Sequence, residues 1–231
     1  MSLVSRVLSL GAAALLALPG SSGAAGAWKT LFDGKSTDAW RGYGRPAFPT
    51  EAWKVEGGEL KTNPAAKERV DIITKDTYKD FELELEWKIS PGGNSGIIYR
   101  VAELPMPSES WQTGPEMQVL DDDKHKDGQD PRTSAGALYA LIPAMHKTLK
   151  PVGQWNKVRI VVSGGHVEHW LNGAKVVEYE WGSPEVKDLV AASKFKAFPR
   201  FAQEAQGHIA LQHHGDEVSY RSVRIRSLDT K

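Results

Sequence analysis

One stretch of nine residues constrains the fold more than any other part of the sequence. Apolar residues at every second position alternate there with Glu82, Glu84, Glu86 and Lys88, and the apolar residues are Phe81, Leu83, Leu85, Trp87 and Ile89. A period of two places the apolar side chains on one face of a β-strand and the charged side chains on the other. The stretch therefore predicts an antiparallel sheet that is covered on one face and solvated on the other.

Several other segments have strand character. They are residues 53–60, 97–101, 116–120, 137–142, 156–163, 166–171, 175–180, 209–213 and 218–226. Asn172-Gly173 lies between two of them and is a strong signal for a hairpin turn. Only residues 184–197 have a helical pattern, with Pro184 in the first turn. About ten short strands and one helix predict an all-β, two-sheet sandwich.

The first 27 residues predict a secretory signal that is removed from the mature chain. Arg6 precedes the apolar run 7–18, and Ala25-Gly26-Ala27 fits an A-x-A cleavage site. The apolar run has about 12 residues, whereas a membrane span needs about 20. We therefore expect residues 28–231 to form a single domain that is periplasmic or secreted in a bacterium and has no membrane span.

Composition excludes several classes of function. The chain has 29 Lys and Arg against 29 Asp and Glu, so its formal net charge is zero and nucleic-acid binding is not expected. It has no cysteine, which excludes disulfides, a cysteine nucleophile and thiolate metal sites. A chain of this length can bury a core that is stable without disulfides.

Strand alternation predicts which polar side chains share a face. Glu116 and Gln118 project to one side of their strand, and the residues between and after them, Met117 and Val119, suit the core. By the same alternation, Ile98 and Arg100 are expected to share a face. An ordinary solvated strand face is the alternative interpretation of the pattern at Glu116 and Gln118.

Two further motifs carry candidate site residues. The block 92–96 has three glycines, which predicts a tight turn that exposes the side chains of Asn94 and Ser95. Near the C-terminus, His213 and His214 are adjacent at a strand end, so at most one of them is expected to join a given site. Histidine is the usual acid or base near neutral pH, although a purely structural role is as consistent with the sequence.

The acidic run 121–130 partly matches a calcium-binding loop. Asp123, Asp127 and Gly128 fit that pattern, but His125 replaces an oxygen ligand and Ser134 replaces the glutamate at the twelfth position. A calcium loop of that type is therefore not predicted. No cofactor is certain from the sequence, and a divalent metal held by Asp or His from this run is an open alternative.

Aromatic side chains are candidates for stacking on sugar rings. They are Tyr43, Trp53, Trp111, Tyr139 and Trp155. Most tryptophans in a sandwich belong to the core, so we expect only one or two of these to contact a ligand.

Seven blocks together resemble the 3-keto-disaccharide hydrolase domain family. They are LFDGKS at 31–36, SPGGNSGI at 90–97, PEMQVLDD at 115–122, ALYALIP at 137–143, KPVGQWN at 150–156, WLNG at 170–173 and LQHHGDEVSYRSVRI at 211–225. The resemblance runs from about residue 28 to the C-terminus. It implies a concanavalin A-like jelly-roll sandwich and a substrate that is a 3-keto glucoside or disaccharide, with glucose oxidised at carbon 3.

One position departs from the pattern of that family. His213 stands where the family usually has an acidic residue, whereas His214 keeps the family histidine. If the acid of the family binds metal or substrate, this chain must differ in that contact.

The residues also constrain the expected chemistry. An ordinary glycosidase needs two carboxyl groups, but the alternating partner of Glu116 is the amide of Gln118. A 3-keto sugar offers another route, in which a base removes the proton on carbon 2 and the enolate expels the group on carbon 1, with water adding afterwards. We expect Glu116 or His214 as base and acid, and Arg100 or a metal as the group that stabilises the enolate.

The predicted substrate-binding residues accompany these three. They are Asn94, Ser95, Gln118, Asp122, His125, Tyr139, Gln212 and His213. The alternatives are a carbohydrate-binding module of the lectin type without catalysis, and an inert structural sandwich.

Overall fold

A computed structural model describes residues 26–106 and 108–228. Its strands are β1 (Lys29–Phe32), β2 (Trp40–Gly42), β3 (Trp53–Glu56), β4 (Glu59–Thr62), β5 (Ile72–Thr74), β6 (Phe81–Ile89), β7 (Asn94–Val101), β8 (Glu116–Leu120), β9 (Asn156–Ser163), β10 (His166–Leu171), β11 (Ala174–Glu180), β12 (His208–Leu211) and β13 (Val218–Ser227). Helix α1 is Pro184–Ala192, and 3₁₀ helices are Ser110–Gln112, Lys126–Gln129 and Lys194–Ala197. The predicted export signal falls almost wholly on residues 1–25, outside the described residues. Within the described part, no helix has both the length and the apolarity that crossing a bilayer requires.

The strands form two antiparallel sheets. The large sheet has the order β11-β10-β9-β6-β13-β4-β3, with β1 also paired to β13. The small sheet has the order β2-β5-β12-β7-β8. Apolar side chains from the facing surfaces of both sheets form one continuous core. The predicted two-sheet antiparallel sandwich is confirmed.

Strand β6 lies at the centre of the large sheet and has the predicted faces. Its five apolar side chains are all at most 4% exposed. On the outer face, Glu82 is also buried, because Arg159 and Arg226 form ion pairs with it from the neighbouring strands. Alternation in the sequence therefore fixes the orientation of the strand, and cross-strand pairing neutralises its charged face.

Two predicted segments differ from the structure, and three short strands were missed. Residues 53–60 contain two strands, because Gly57 and Gly58 both have positive φ and form a turn. Residues 137–142 form turns with isolated bridges and no named strand. Strands β1, β2 and β5 were not predicted, since three or four residues are too few to show a period.

The predicted helix 184–197 is divided in two. The Ser183 side chain accepts a hydrogen bond from Val186 N and begins α1, as the sequence predicts. The helix ends at Ala192 because Ser193 is extended, with a ψ of 178°. The Ser193 side chain then accepts a hydrogen bond from Phe195 N and begins the 3₁₀ helix Lys194–Ala197. This break determines where Lys194 lies.

The outer face of the small sheet carries a second, smaller apolar cluster. Ile73, Ile98 and Ala210 lie side by side on β5, β7 and β12, and Trp111 packs against them. Trp111 belongs to the segment between β7 and β8, so this segment folds over the sheet. The uncovered remainder of the outer face holds the polar residues described below.

Candidate functional site

Glu116 lies on the outer face of the small sheet. Met117 and Val119 belong to the core, so the predicted face of Glu116 and Gln118 is confirmed. Glu116 is nevertheless only 6% exposed, because neighbouring segments surround it. A carboxyl group that is buried outside the core is costly for folding and is therefore a candidate functional group.

Gly96 provides the space in which the Glu116 carboxyl group lies. On the adjacent strand, Ile98 faces Glu116 and Gly96 faces Gln118, so the Glu116 side chain extends diagonally across the ladder over Gly96. A Cβ atom added at Gly96 would lie 1.9 Å from Glu116 Oε1. Gly96 is thus a strand residue that admits a close approach, and it is not part of the predicted tight turn.

The Glu116 carboxyl group has no hydrogen bond among the described residues. Burial raises its pKa to about 8; Lys194 acts in the opposite direction, and the charges of Asp71 and Asp127 raise the pKa further. Near neutral pH this carboxyl group therefore carries a proton and can donate it.

Asp71 is a second carboxylate of this face, and sequence reasoning did not find it. Ser110 Oγ donates to Asp71 Oδ2 at 2.5 Å, and the backbone N–H of His213 donates to Oδ1 at 2.8 Å. Burial raises the pKa of Asp71 to about 6, while these two donors lower it. With both oxygens engaged, Asp71 acts on Glu116 through its charge.

Amide side chains surround Glu116 on the sheet. Asn94 and Gln212 are at most 9% exposed, and neither side-chain amide has a hydrogen bond among the described residues. Gln118 Nε2 donates to the carbonyl oxygen of Thr133 at 3.2 Å. The backbone N–H of Gln212 donates to the Gly96 carbonyl oxygen at 3.0 Å, which places Gln212 beside the Glu116 carboxyl group. The free amides of Asn94 and Gln212 on this sheet face are suited to binding sugar hydroxyls.

Asp127 lies in the loop after β8, where its charge raises the pKa of the Glu116 carboxyl group. Tyr139 Oη donates to Asp127 Oδ2 at 3.3 Å, and the backbone N–H of Asp127 donates to His125 Nδ1 at 3.1 Å. Burial, Asp127 and Glu116 together raise the pKa of the Tyr139 hydroxyl, which therefore stays protonated. Sequence reasoning considered Asp127 only as part of a calcium-loop pattern.

His214 is exposed at the edge of this group. Partial desolvation lowers its pKa, with Asp216 raising it, His125 and Arg69 lowering it, and Asp127 raising it. Asp216 Oδ2 also accepts a hydrogen bond from the backbone N–H of Asn94 at 3.1 Å, so His214 is connected to the sheet face through its neighbours. At neutral pH its imidazole is neutral and can accept a proton.

Lys194 completes the group, and sequence reasoning did not find it either. Its Nζ atom lies 4.5 Å from the ring centroid of Tyr139 and 5.0 Å from that of Trp111. Burial lowers its pKa, and the charges of Glu116 and Asp127 raise it. We call Asn94, Glu116, Gln118, Gln212, Asp127, Tyr139, Lys194 and His214 the Glu116 cluster.

Arg100 lies on the other side of the small sheet. Its φ of 52° interrupts the alternation of side chains between the two faces of β7. Tyr99 lies in the core, but Val101, two residues later, lies with Ile98 in the outer apolar cluster. The guanidinium lies 4.3 Å over the Trp181 ring, and Nη2 donates to the Lys79 carbonyl oxygen at 3.1 Å. The prediction that Ile98 and Arg100 share a face is wrong, and the cause is this positive φ.

Three predicted binding residues point elsewhere and already have partners. Ser95 Oγ lies 2.6 Å from Tyr220 Oη inside the core. His213 Nε2 lies 3.1 Å from the Asn63 carbonyl oxygen, and its Nδ1 accepts from the backbone N–H of Gly215. Asp122 accepts from the backbone N–H of Ala135 at 2.7 Å and forms an ion pair with Lys147. Their expected place among the substrate contacts is not supported by these positions.

Other candidate sites lie on the large sheet. His166, Glu168 and Glu178 bring potential metal ligands within 4.8 Å of one another, but Lys175 already forms ion pairs with both carboxylates. A groove of about 750 Å³ crosses the same outer face, where Arg221 and Glu86 and further charged pairs neutralise one another. A divalent metal held by the 121–130 loop stays a prediction.

Comparison with known proteins gives a family match and a named relative. The family model of the 3-keto-alpha-glucoside-1,2-lyase-like domain matches residues 27–226. A protein of Bacteroides thetaiotaomicron named 3-keto-disaccharide hydrolase is 37% identical over 227 residues, which cover 87% of this chain and 78% of that protein.

Solved structures give the same fold. A Parabacteroides distasonis protein, described provisionally as a glycosyl hydrolase, superposes with a TM-score of 0.81 at 32% identity, covering 87% of this chain and 94% of its own. A Bacillus subtilis protein with a galectin-like fold reaches 0.55 at 12% identity, covering 90% and 97% of the two chains. The second likeness concerns the fold alone, and it agrees with the predicted jelly-roll sandwich.

Proposed function

The chain belongs to the 3-keto-alpha-glucoside-1,2-lyase-like domain family, and from this premise we propose that it cleaves the glycosidic bond of 3-keto glucosides or disaccharides. The related protein of Bacteroides thetaiotaomicron bears the name of such a hydrolase. The substrate is thus a sugar whose ring carries a ketone at carbon 3.

The ketone determines the route that we propose. It acidifies the proton on carbon 2, and removal of that proton gives an enolate whose negative charge lies on the oxygen at carbon 3. The enolate electrons then return to form the double bond between carbons 1 and 2 as the bond from carbon 1 to the leaving oxygen breaks. Water adds to carbon 1 afterwards, so the net reaction is hydrolysis.

Glu116 is suited to protonate the leaving oxygen. Its pKa near 8 keeps the carboxyl group protonated at neutral pH, and no protein group among the described residues competes for that proton. Once the leaving oxygen has taken the proton, Lys194 beside the carboxylate offsets part of the cost of the new charge.

His214 is suited to remove the proton on carbon 2. Its lowered pKa leaves the imidazole neutral at neutral pH. The environments of Glu116 and His214 thus shift their pKa values in opposite directions, which is the pattern of an acid and a base that work together. Asn94, Gln118 and Gln212 would orient the sugar hydroxyls.

One observation carries this proposal. The Glu116 carboxyl group is buried without a hydrogen bond on the outer face of the sheet, in space that only a glycine at position 96 leaves free. A structural carboxyl group would have partners, as Asp71 has. An unpaired buried carboxyl group is explained by a ligand that pairs with it.

The test is turnover of 3-keto-trehalose and 3-keto-lactose, measured as release of free sugar. We expect Glu116→Gln and His214→Ala each to reduce kcat by about 10²- to 10⁴-fold, the usual contribution of a positioned acid or base. Glu51→Gln, which changes an exposed carboxylate in the same way, should keep full activity. Circular dichroism establishes that each variant is folded.

Two outcomes would contradict the proposal. Full activity of both variants would remove the assigned roles. Binding of the keto sugar without release would instead indicate a carbohydrate-binding module.

A further inference from the structure

Lys194 is held in a fixed position by the segment that carries it. The next residue, Phe195, is buried and stacks on Phe201, with ring centroids 3.8 Å apart and planes 8° from parallel. The Ser193 side chain fixes the start of the 3₁₀ helix by accepting from Phe195 N at 3.1 Å. The backbone of Lys194 is thus anchored on both sides.

Aromatic rings surround the ammonium group. Lys194 Nζ lies 4.5 Å from the ring centroid of Tyr139, 5.0 Å from that of Trp111 and 5.3 Å from that of Phe195. Ring faces attract a cation but accept no strong hydrogen bonds from it. The three N–H donors of the ammonium group therefore remain available to a ligand.

No anion among the described residues pairs directly with this cation. Among residues 26–106 and 108–228, Lys194 Nζ has neither an ion pair nor a hydrogen bond, whereas Lys88 and Lys175 of the large sheet form ion pairs with glutamates. Glu116 and Asp127 act on it only through space. Lys194 is exposed, but the three ring faces remove part of the hydration of its ammonium group, which can therefore donate a hydrogen bond to a negative oxygen of a ligand.

We infer that Lys194 is the catalytic residue that stabilises the enolate oxygen at carbon 3 of the substrate. This inference rests on the proposed function. As the base removes the proton on carbon 2, the electrons of that bond move toward the ketone oxygen, and the ammonium group donates a hydrogen bond to the growing negative charge. When the leaving group departs, the ketone is restored and Lys194 is unchanged.

The position of Arg100 supports this assignment by elimination. Sequence reasoning had given this role to Arg100 or a metal, and the structure places the Arg100 guanidinium on Trp181 across the sheet. Arg69 is exposed and lies against Gly215, where its charge acts on His214. Lys194 is the cation whose charge lowers the pKa of the Glu116 carboxyl group through space.

The experiment compares four forms of the full chain on 3-keto-trehalose. Lys194→Met removes the charge at similar length, and Lys194→Arg keeps it. Lys196→Met is the matched control, because Lys196 is, like Lys194, an exposed lysine of the same 3₁₀ helix. Steady-state kinetics and exchange of the carbon 2 hydrogen in D₂O are measured for each form.

We expect Lys194→Met to lower kcat by about 10²- to 10³-fold, as loss of one oxyanion donor does, and to leave KM nearly unchanged. Hydrogen exchange at carbon 2 should slow in parallel, because it passes through the same enolate. Lys194→Arg should recover part of the rate, and Lys196→Met should match the wild type.

Each contrary result has a distinct meaning. Wild-type turnover together with a Lys194→Met rate within threefold of it would overturn the role of Lys194 and leave the proposed function intact. Absence of turnover by the wild type would overturn the proposed function and this inference with it. Borohydride trapping of substrate on Lys194 would also overturn the inference, because it would reveal an imine in place of a charge contact.

Discussion

Glu116 and Gly96 are a matched pair of residues. The carboxyl group occupies the volume that a side chain at position 96 would need, and the absence of that side chain leaves the carboxyl group buried without a partner. Burial of an acid in this way costs stability above its ordinary pKa, because the unfolded chain ionises there and the native chain does not. The burial of Glu116 over Gly96 therefore lowers the stability of the native chain, and it leaves a carboxyl group that is protonated at neutral pH.

The first prediction at this scale concerns the pH dependence of kcat/KM. Glu116 must be protonated, so activity should fall as pH rises through about 8. His214 must be neutral, so activity should also fall at low pH, with a midpoint below the ordinary histidine value. A pH series on 3-keto-trehalose measures both limbs.

The variants distinguish the two limbs of that profile. Glu116→Gln should lose the alkaline limb in its residual activity and keep the acid limb. A wild-type rate that rises through pH 8 would contradict the assignment of Glu116 as the acid.

At the scale of elements, the end of α1 decides where the cation of the site lies. Ser193 interrupts the helix with an extended backbone and begins the 3₁₀ helix that carries Lys194. The positive φ of Arg100 in β7 has the opposite effect, since it turns a cation away from the site. In both cases one backbone conformation places a charged side chain relative to Glu116.

The prediction at this scale compares two serine caps. Ser193→Ala removes the hydrogen bond from Phe195 N, and Ser183→Ala removes the corresponding bond at the start of α1. Each should lower the free energy of unfolding by about 0.5–2 kcal/mol. Only Ser193→Ala should also lower kcat, by about 10- to 100-fold, because it displaces Lys194.

Urea unfolding and steady-state kinetics of the two variants provide the measurement. Equal kcat values for both would show that the 3₁₀ helix does not position the lysine.

At the scale of the whole molecule, a polar network connects the two sheets through the core. Tyr99 Oη lies 2.9 Å from His169 Nε2 and 2.8 Å from Tyr179 Oη, and His169 Nδ1 lies 3.2 Å from the Gly136 carbonyl oxygen. Every member has a partner, so the network is compatible with a stable core. Burial lowers the pKa of His169 to about 4.

Acid should therefore destabilise the molecule through His169. Below about pH 6.5 His169 of the unfolded chain binds a proton, whereas His169 of the native chain does not bind one until about pH 4. The free energy of unfolding therefore falls as pH decreases from about 6.5 to about 4. The contribution is on the order of 3 kcal/mol.

Urea unfolding between pH 4 and 7 measures this slope. His169→Gln should remove much of it, whereas His146→Gln at an exposed position should leave it unchanged. The same slope in all three proteins would exclude His169 as its source.

The sequence by itself determined the sandwich and the face to which Glu116 and Gln118 point. A period of two fixes the side to which each strand residue points. Strands β6 and β8, and the shared face of Glu116 and Gln118, could therefore be predicted without coordinates. The short strands β1 and β5 and the end of α1 could not, since too few residues repeat there to give a signal.

The tertiary structure alone decided which charges meet. Asp71, Asp127 and Lys194 lie far from one another in the chain and come together only because β5, β8 and the segment after α1 converge on one sheet face. The positive φ of Arg100 turns its side chain away from that face, and an alternation pattern in the sequence does not show such a backbone conformation. The physical reason is that alternation is a local property of a strand, whereas burial and charge proximity depend on contacts between distant segments.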